Sequence, residues 1–257
     1  MRRLLPTLVI ALAGCLSARP TEPAAPQTST PAAQAVPVND ADLQRAAERM
    51  IRAAEKTLAP VYAPLAEQIV ADLDLADARG IGIDLGSGPG TLIVELCPRT
   101  RMHWVNADIN PYFFPYFYRL AEARGVGHRV SAVYANATRL PFRDGWADVV
   151  VSRGSYHFWP DREAGFAEIY RVLKPGGVAY VGRGFPANLP VETARAVRAK
   201  QGRRWGYEPK EQAQSLRTLL AGLGIRDVRV HLPAPPGSAD VNYGLWVEFH
   251  KPREPSP

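Results

Sequence analysis

Gly80-Ile81-Gly82-Ile83-Asp84-Leu85-Gly86-Ser87-Gly88-Pro89-Gly90 is the stretch from which the rest of the chain is read. A short apolar run ends at Leu85 and is followed by three glycines, each one residue apart from the next. Glycines at such a place let the backbone turn sharply and let a ligand lie against bare amides. A helix beginning near Gly90 would point its positive end at that ligand. In an open α/β sheet the bend falls at the carboxyl ends of the strands, where ligands bind. A dinucleotide site calls for G-x-G-x-x-G, with two residues before the last glycine. Here the spacing is G-x-G-x-G, and Asp84 stands two residues before the first glycine. A carboxylate at the strand tip repels a pyrophosphate and favours a cationic group such as an α-amino group. A nicotinamide-dependent oxidoreductase is disfavoured on these grounds.

Working outward from the bend, apolar runs of strand length alternate with helical patterns. Strands are expected at 81–85, 102–107, 129–135, 147–152 and 177–182, with helices from 90, at 111–124, at 161–173 and over 191–223. Alternation of this kind predicts an α/β fold with a mostly parallel sheet covered on both faces. The last two strands, 225–232 and 243–250, have only the turn-rich 233–238 stretch between them, so they should form an antiparallel pair at one edge. Ahead of the bend, Asp40 is expected to cap a helix to about Lys56, with Leu43, Ala46, Ala47, Met50, Ile51 and Ala54 on one face. Pro60 and Pro64 should end it, and a second amphipathic segment runs to about Leu75.

The first 39 residues read differently. Arg2 and Arg3 precede an apolar run, Leu4 to Leu16, that is shorter than the roughly 20 residues needed to span a bilayer. The run ends Leu12-Ala13-Gly14-Cys15, which resembles a bacterial lipobox, so 1–15 is expected to be a lipoprotein signal peptide with Cys15 lipidated. Residues 16–39 are rich in Pro and Ala and are expected to be an extended tether, leaving 40–257 as the domain: helices over 40–75 and the core over 80–250. The expected location is the bacterial cell envelope, or the cytoplasm if the signal is not used.

Composition narrows the function further. The chain has 257 residues, 46% hydrophobic and 22% charged, which excludes a wholly disordered, collagen-like or multi-span membrane chain. The net charge of +6 is spread along the sequence, and no nucleic-acid partner is expected. With two cysteines, Cys15 and Cys97, and five scattered histidines, neither a disulfide framework nor a metal site is expected.

The pattern from Asp84 through Gly86, Ser87, Gly88 and Gly90 resembles the first motif of class I S-adenosylmethionine-dependent methyltransferases. Other segments fit the same family. Trp104 to Asp108 ends a strand with a carboxylate about 20 residues after the glycines, where an acid can accept both ribose hydroxyls, and Ile109 can pack on the adenine. Tyr134-Ala135-Asn136-Ala137-Thr138-Arg139-Leu140-Pro141-Phe142 is similar to a family segment that has Asp where Asn136 stands, next to Ala137; an amide oxygen can still accept from the adenine amine, without charge. Trp146 to Phe158, with Ser152 and Arg153 at its turn, resembles the post-strand segment, and Arg171-Val172-Leu173-Lys174-Pro175-Gly176-Gly177 is nearly letter for letter the turn of the type 11 group. Val61 to Leu65 resembles the helix preceding that fold, with Tyr62 over the cofactor. The resemblance covers about 61–182 and implies a Rossmann-like, doubly wound, mostly parallel seven-stranded sheet. It also implies S-adenosylmethionine as cofactor and transfer of a methyl group to a small-molecule or lipid-like acceptor.

A sulfonium methyl is already activated, so the protein chiefly has to position a nucleophile and exclude water. His157, with its neighbour Tyr156, is the candidate general base or pocket wall. No Asn/Asp-Pro-Pro-Tyr segment follows the fourth strand, which argues against amide or adenine methylation. A single cysteine in the domain, Cys97, argues against arsenic chemistry. The aromatic run 111–118 is either core or an apolar acceptor pocket; Arg195, Arg198, Lys200, Arg203 and Arg204 are either a solvated face or an anion-attracting lid. The alternative to the enzyme is a lipid-tethered module that binds S-adenosylmethionine without turnover.

Overall fold

The computed structural model describes residues 39–202 and 208–253. The expected signal peptide, Cys15 and nearly all of the tether lie outside the described residues, as do Arg203 and Arg204.

Seven strands form one sheet: β1 (Ile81–Leu85), β2 (His103–Asp108), β3 (Val130–Tyr134), β4 (Ala147–Arg153), β5 (Leu173–Gly184), β6 (Val228–His231) and β7 (Gly244–His250). Their order is β3-β2-β1-β4-β5-β7-β6. The first five are parallel; β7 runs antiparallel to both β5 and β6. Chain order reverses between β1 and β4, which opens a crevice at their carboxyl ends, the place where such sheets bind ligands.

Helices α1 (Asp40–Glu55), α2 (Ala59–Asp72), α3 (Thr91–Leu96), α4 (Phe114–Ala123), α5 (Arg162–Val172), α6 (Val191–Gln201) and α7 (Pro209–Gly222) connect and cover the strands. Two buried clusters lie on the two faces. One joins α2, α3 and α4 to Trp104, Tyr180 and Trp246; the other joins α5 and α7 to Ile83, Val150, Val181 and Phe249. Apolar side chains alternate between the two faces of each central strand, so both faces are covered and the strands read as continuous apolar runs.

Several local expectations shift. The cap of α1 is Asn39, whose side chain accepts from the Ala41 amide at 2.9 Å; Asp40 and Asp42 sit in the first turn, where their charge complements the helix dipole. Pro60 and Pro64 do not merely end α1. Pro60 occupies the first turn of α2, where an N–H is dispensable, and Pro64 lies inside that helix. The Lys174–Gly177 turn lies within β5 as an irregularity: Ala147 pairs with Leu173, and pairing resumes at Val149 with Val178. Lys174 reaches both oxygens of Asp148 at 2.8 and 2.7 Å. Arg171 donates to the carbonyls of Phe142 and Leu140, at 2.8 and 3.2 Å, and so staples the 136–142 loop to α5.

The aromatic run 111–118 is divided between core and cavity. It forms a single helical turn (Pro111–Phe113) and then α4; Phe117 is buried beneath the bend while Phe113 faces the cavity. In the basic segment, Arg195 pairs with Asp240 at 2.8 Å and the Arg198 guanidinium lies 4.1 Å from the Phe185 ring centre, so these two serve packing. Among the described residues no helix is long and apolar enough to cross a membrane, and no group of three His, Cys, Asp or Glu could hold a metal ion.

Candidate functional site

The crevice holds a cavity of about 490 Å³. Its floor is the end of β1 and the glycine bend; its walls are the ends of β2 and β3 and the loop after β4; α1 and Tyr62 of α2 close it from above. The bend is built by conformation as much as by size. Gly86, Gly88 and Gly90 all have positive φ. A Cβ on Gly86 would sit 2.3 Å from Cβ of Ser155, and one on Gly90 would sit 2.0 Å from the Phe117 ring. Gly88, with nothing nearer than 3.8 Å, leaves its space to the cavity.

Asp84 is 2% exposed and lines the cavity. One carboxylate oxygen accepts from the Ser87 hydroxyl at 2.6 Å; the other, Oδ1, is buried and has no hydrogen-bond partner. Burial pushes its pKa up to about 7, against the pull of Ser87 and Arg153 and with a push from Asp108. A buried carboxylate oxygen with nothing to accept is costly unless a ligand supplies the donor. Asp108, 20 residues after Gly88, accepts from the Gly88 amide through one oxygen and from the Asn110 amide through the other, both at 2.8 Å. Burial raises its pKa, and these amides oppose the rise. Each oxygen keeps a lone pair for a hydroxyl pair. The bare bend, the unpartnered Asp84 oxygen and Asp108 beside it fit an amino-acid tail and a ribose, the two polar ends of S-adenosylmethionine.

The other expected site residues divide. Ile109, half exposed, Asn136, Ala137, Arg153, Tyr62, Gly86, Ser87 and Gly88 line the cavity with Asp84 and Asp108. Gly90 does not; it caps α3 and packs on Phe117. Ser152 lies behind the wall, its hydroxyl on the Leu85 carbonyl at 2.8 Å, and so holds β4 against β1. Asn136 is present, but its amide oxygen already accepts from the Thr138 amide and hydroxyl, each at 3.0 Å. Both lone pairs are used, so the expected bond from an adenine amine has no acceptor there.

The two residues expected to be catalytic, Tyr156 and His157, are not among those lining the cavity. Tyr156 is fully buried in the core against Phe166 and Trp159. His157 is not among the lining residues, and its ring packs on Phe158, centre to centre 4.0 Å. Burial, with Arg183 and Arg162 nearby, lowers its pKa to about 4. A neutral imidazole with so acidic a conjugate acid is a poor base near neutral pH. The turn of helix at Tyr156–Phe158 carries the chain past the cavity and turns Tyr156 inward, which the linear spacing did not reveal.

The sequence reading assigned no site role to six residues that build or rim the cavity. Asn106 donates to the Gly88 carbonyl at 3.0 Å. Asn110 caps the 111–113 turn and donates to the Leu43 carbonyl at 2.8 Å, tying α1 over the cavity. Ser155 binds the Leu85 carbonyl at 3.0 Å. Phe158, 76% exposed, with Trp159 and Pro160, forms one rim. Only Asn110 left a sequence signal, as an Asn immediately before Pro111.

Sheet order, antiparallel edge and a cavity at the reversal together define a Rossmann-like methyltransferase fold. Comparisons with known proteins agree. Residues 83–181 match a family model described as a methyltransferase domain. A solved chain from Methanococcus maripaludis, described as a candidate S-adenosyl-L-methionine-dependent methyltransferase, superposes with a TM-score of 0.71 at 26% identity, covering 83% of this chain and 95% of that one. The demethylmenaquinone methyltransferase of Thermus thermophilus is 38% identical over 107 residues, 41% of this chain and 48% of the relative. A chloroplastic 2-methyl-6-phytyl-1,4-hydroquinone methyltransferase of Arabidopsis thaliana is 35% identical over 112 residues, 42% of this chain and 31% of the relative. The chain therefore spans about half the length, or less, of the curated relatives it matches. Residues 83–181 are thus similar to a methyltransferase domain, and the fold around them is similar to that of a solved chain described as S-adenosyl-L-methionine-dependent.

Proposed function

We propose that the protein transfers a methyl group from S-adenosylmethionine to a small, largely apolar or lipid-like acceptor. The observation that carries this reading is the buried, unpartnered Asp84 oxygen beside a glycine bend, a receptor for an ammonium group. When bound, S-adenosylmethionine supplies a methyl group already activated on a sulfonium. The chain's own residues bind and orient: Asp84 holds the amino group, Asp108 the ribose hydroxyls, and Ser87 fixes the Asp84 carboxylate. Leu43, Met50 and Trp159 shield the reacting atoms from water. Positioning of this kind contributes up to roughly 7–11 kcal/mol of a barrier. The titratable side chains lining the cavity are Asp84, Asp108, Arg153 and Tyr62, and burial raises the Tyr62 pKa. None is a free base, so the acceptor should arrive with its own lone pair or anion ready. An apolar rim, together with relatives named for quinone substrates, supports an aromatic or prenylated acceptor.

The test is calorimetric titration of the protein with S-adenosylmethionine, followed by a labelled-methyl assay over phenols, hydroquinones and prenylated lipids. Heat of binding and label in at least one acceptor are expected; no heat would reject the reading. Binding without transfer across the panel would support a second one, a lipid-tethered module without turnover.

We also propose that Cys15 is lipidated and holds the domain at a bacterial envelope membrane, on the strength of Leu12-Ala13-Gly14-Cys15 after a basic start. Mass spectrometry of the membrane fraction should find a diacylglyceryl group on Cys15 at the mature N-terminus. An unprocessed soluble chain would reject the anchor.

A further inference from the structure

Among the described residues six large apolar side chains stand exposed, and four of them, Ile109, Tyr112, Tyr134 and Phe158, gather at the carboxyl ends of β2, β3 and β4. Tyr134 is the last residue of β3 and pairs with Asp108, which lines the cavity; Ile109 and Phe158 line it themselves. Phe158 is 76% exposed, Tyr134 60% and Ile109 52%, so most of each side chain is left to whatever lies outside the fold. Trp159 and Pro160 extend the same rim. Apolar side chains grouped around an open mouth mark a surface that meets another apolar phase. The described chain also begins here. Asn39 caps α1, and one turn later the Leu43 carbonyl is tied to Asn110, next to Tyr112. Cys15 lies 24 residues before Asn39, so a lipid there would pull on the domain beside the mouth of the cavity. Tyr112, Tyr134 and Trp159 carry a polar atom on an apolar ring, which suits the headgroup level; Phe158 and Ile109 carry none, which suits the acyl boundary beneath it. Exposed charges next to the rim have both signs, Asp40 and Asp161 against Arg139, so apolar contact and not charge selects the partner.

We propose that the mouth of the cavity docks on a phospholipid bilayer, with Phe158 and Ile109 entering the acyl boundary and Tyr112, Tyr134 and Trp159 at headgroup level. This rests on the lipid-like acceptor reading above and deepens it. An acceptor dissolved in the bilayer reaches the cavity without crossing water, which an apolar molecule does only at a cost that grows with its area. The lipid also covers the side of the cavity that the chain leaves open. Contact as shallow as this orients the domain more than it holds it.

The experiment places a fluorescent reporter at each end of the strands. Phe158→Trp puts an indole on the rim; Arg101→Trp puts one at an exposed position just before β2, at the opposite end. Each full chain is mixed with phosphatidylcholine vesicles, plain or brominated along the acyl chains, and the emission added over the native protein is read. The Phe158→Trp signal should shift to the blue on plain vesicles. On brominated ones it should lose at least about half its intensity, because a docked side chain lies within about 5–10 Å of the acyl boundary. The Arg101→Trp signal should change on neither. Tyr134→Trp is a second reporter on the same rim and should respond as Phe158→Trp does. Melting curves without vesicles establish that the variants are folded. Rim reporters that stay in water, or equal quenching at both ends of the strands, overturn the docking. Cofactor binding and methyl transfer to detergent-dispersed prenylated lipids are measured separately on the native protein. Transfer without rim quenching rejects the docking alone; no transfer to any of these lipids rejects the reading on which it rests.

Discussion

Asp84→Ala is expected to weaken binding of S-adenosylhomocysteine by about two to four orders of magnitude, measured by calorimetry at pH 8. The substitution leaves the ligand's ammonium buried without its counter-charge, and breaking a buried pair from one side costs about 3–5 kcal/mol. The native protein should also show a pH-dependent affinity. With its pKa raised to about 7, Asp84 is protonated in the empty site at lower pH and must lose that proton to receive an ammonium. Affinity should fall about tenfold per pH unit below 7 and level off above it. A flat profile between pH 5.5 and 8 would separate Asp84 from recognition of the amine.

The same carboxylate has the opposite effect on the ligand-free fold. In the unfolded chain Asp84 titrates near the usual 3.8; in the fold it holds its proton up to about 7. Between those values the folded state binds the extra proton, so Asp84's own contribution to stability is fully present below about 4 and is lost as pH rises to about 7. Asp84→Asn, neutral throughout, should therefore melt higher than the native protein at pH 8, with the difference shrinking toward pH 4. Glu248 shows the contrast. It is equally buried, but His231 and His250 bond to it at 2.9 and 2.8 Å. Burial acts to raise its pKa; these bonds and the nearby charges outweigh burial, and the net shift is downward. One buried acid has partners for both its oxygens in the fold, while the other has a partner for one and leaves Oδ1 without.

Gly86→Ala is expected to lower the melting temperature by roughly 5–20 °C and to abolish cofactor binding. Its φ of +69° costs a non-glycine residue about 1–2 kcal/mol, and the new methyl would lie 2.3 Å from Ser155 Cβ. Overpacking adds about 1–3 kcal/mol, and for a domain of this size each kcal/mol lowers the melting temperature by about 2–4 °C. The clash also pushes Ser155 off the Leu85 carbonyl, which ties the bend to the loop after β4. Gly88→Ala is the control. Its φ is also positive, but its methyl would meet nothing nearer than 3.8 Å and would enter the cavity. It should lose ligand affinity with a smaller loss of stability. Equal losses of stability in the two variants would contradict the packing around Gly86.

Much of this site was legible because its chemistry is local. Asp84, the glycines and Asp108 lie within 25 positions, and each of their roles follows from a strand end meeting a turn. Strand periods showed where the parallel sheet lies, and the missing helix before β7 showed which edge is antiparallel. The amphipathic face of α1 was visible too, but periodicity shows which face is apolar and not what covers it. That Leu43 and Met50 roof a cavity follows from the Asn110 bond to the Leu43 carbonyl, 67 positions away.

His157 and Tyr156 mark the boundary of what linear order can show. Both stand just after the fourth strand, where a base would be wanted, yet a single helical turn buries one and puts the other outside the cavity. The direction of a side chain there depends on a few backbone angles, and these are set by packing against Trp159 and Phe166. By itself the amino-acid order determined the α/β alternation and a carboxylate beside a bare bend, since both arise from short-range periodicity and backbone freedom. Only the tertiary structure showed that the Arg153 guanidinium lies on the Tyr62 ring, 91 positions away, beside the cavity that Asp84 lines, because the reversal of strand order in an open sheet brings distant strand and helix ends together.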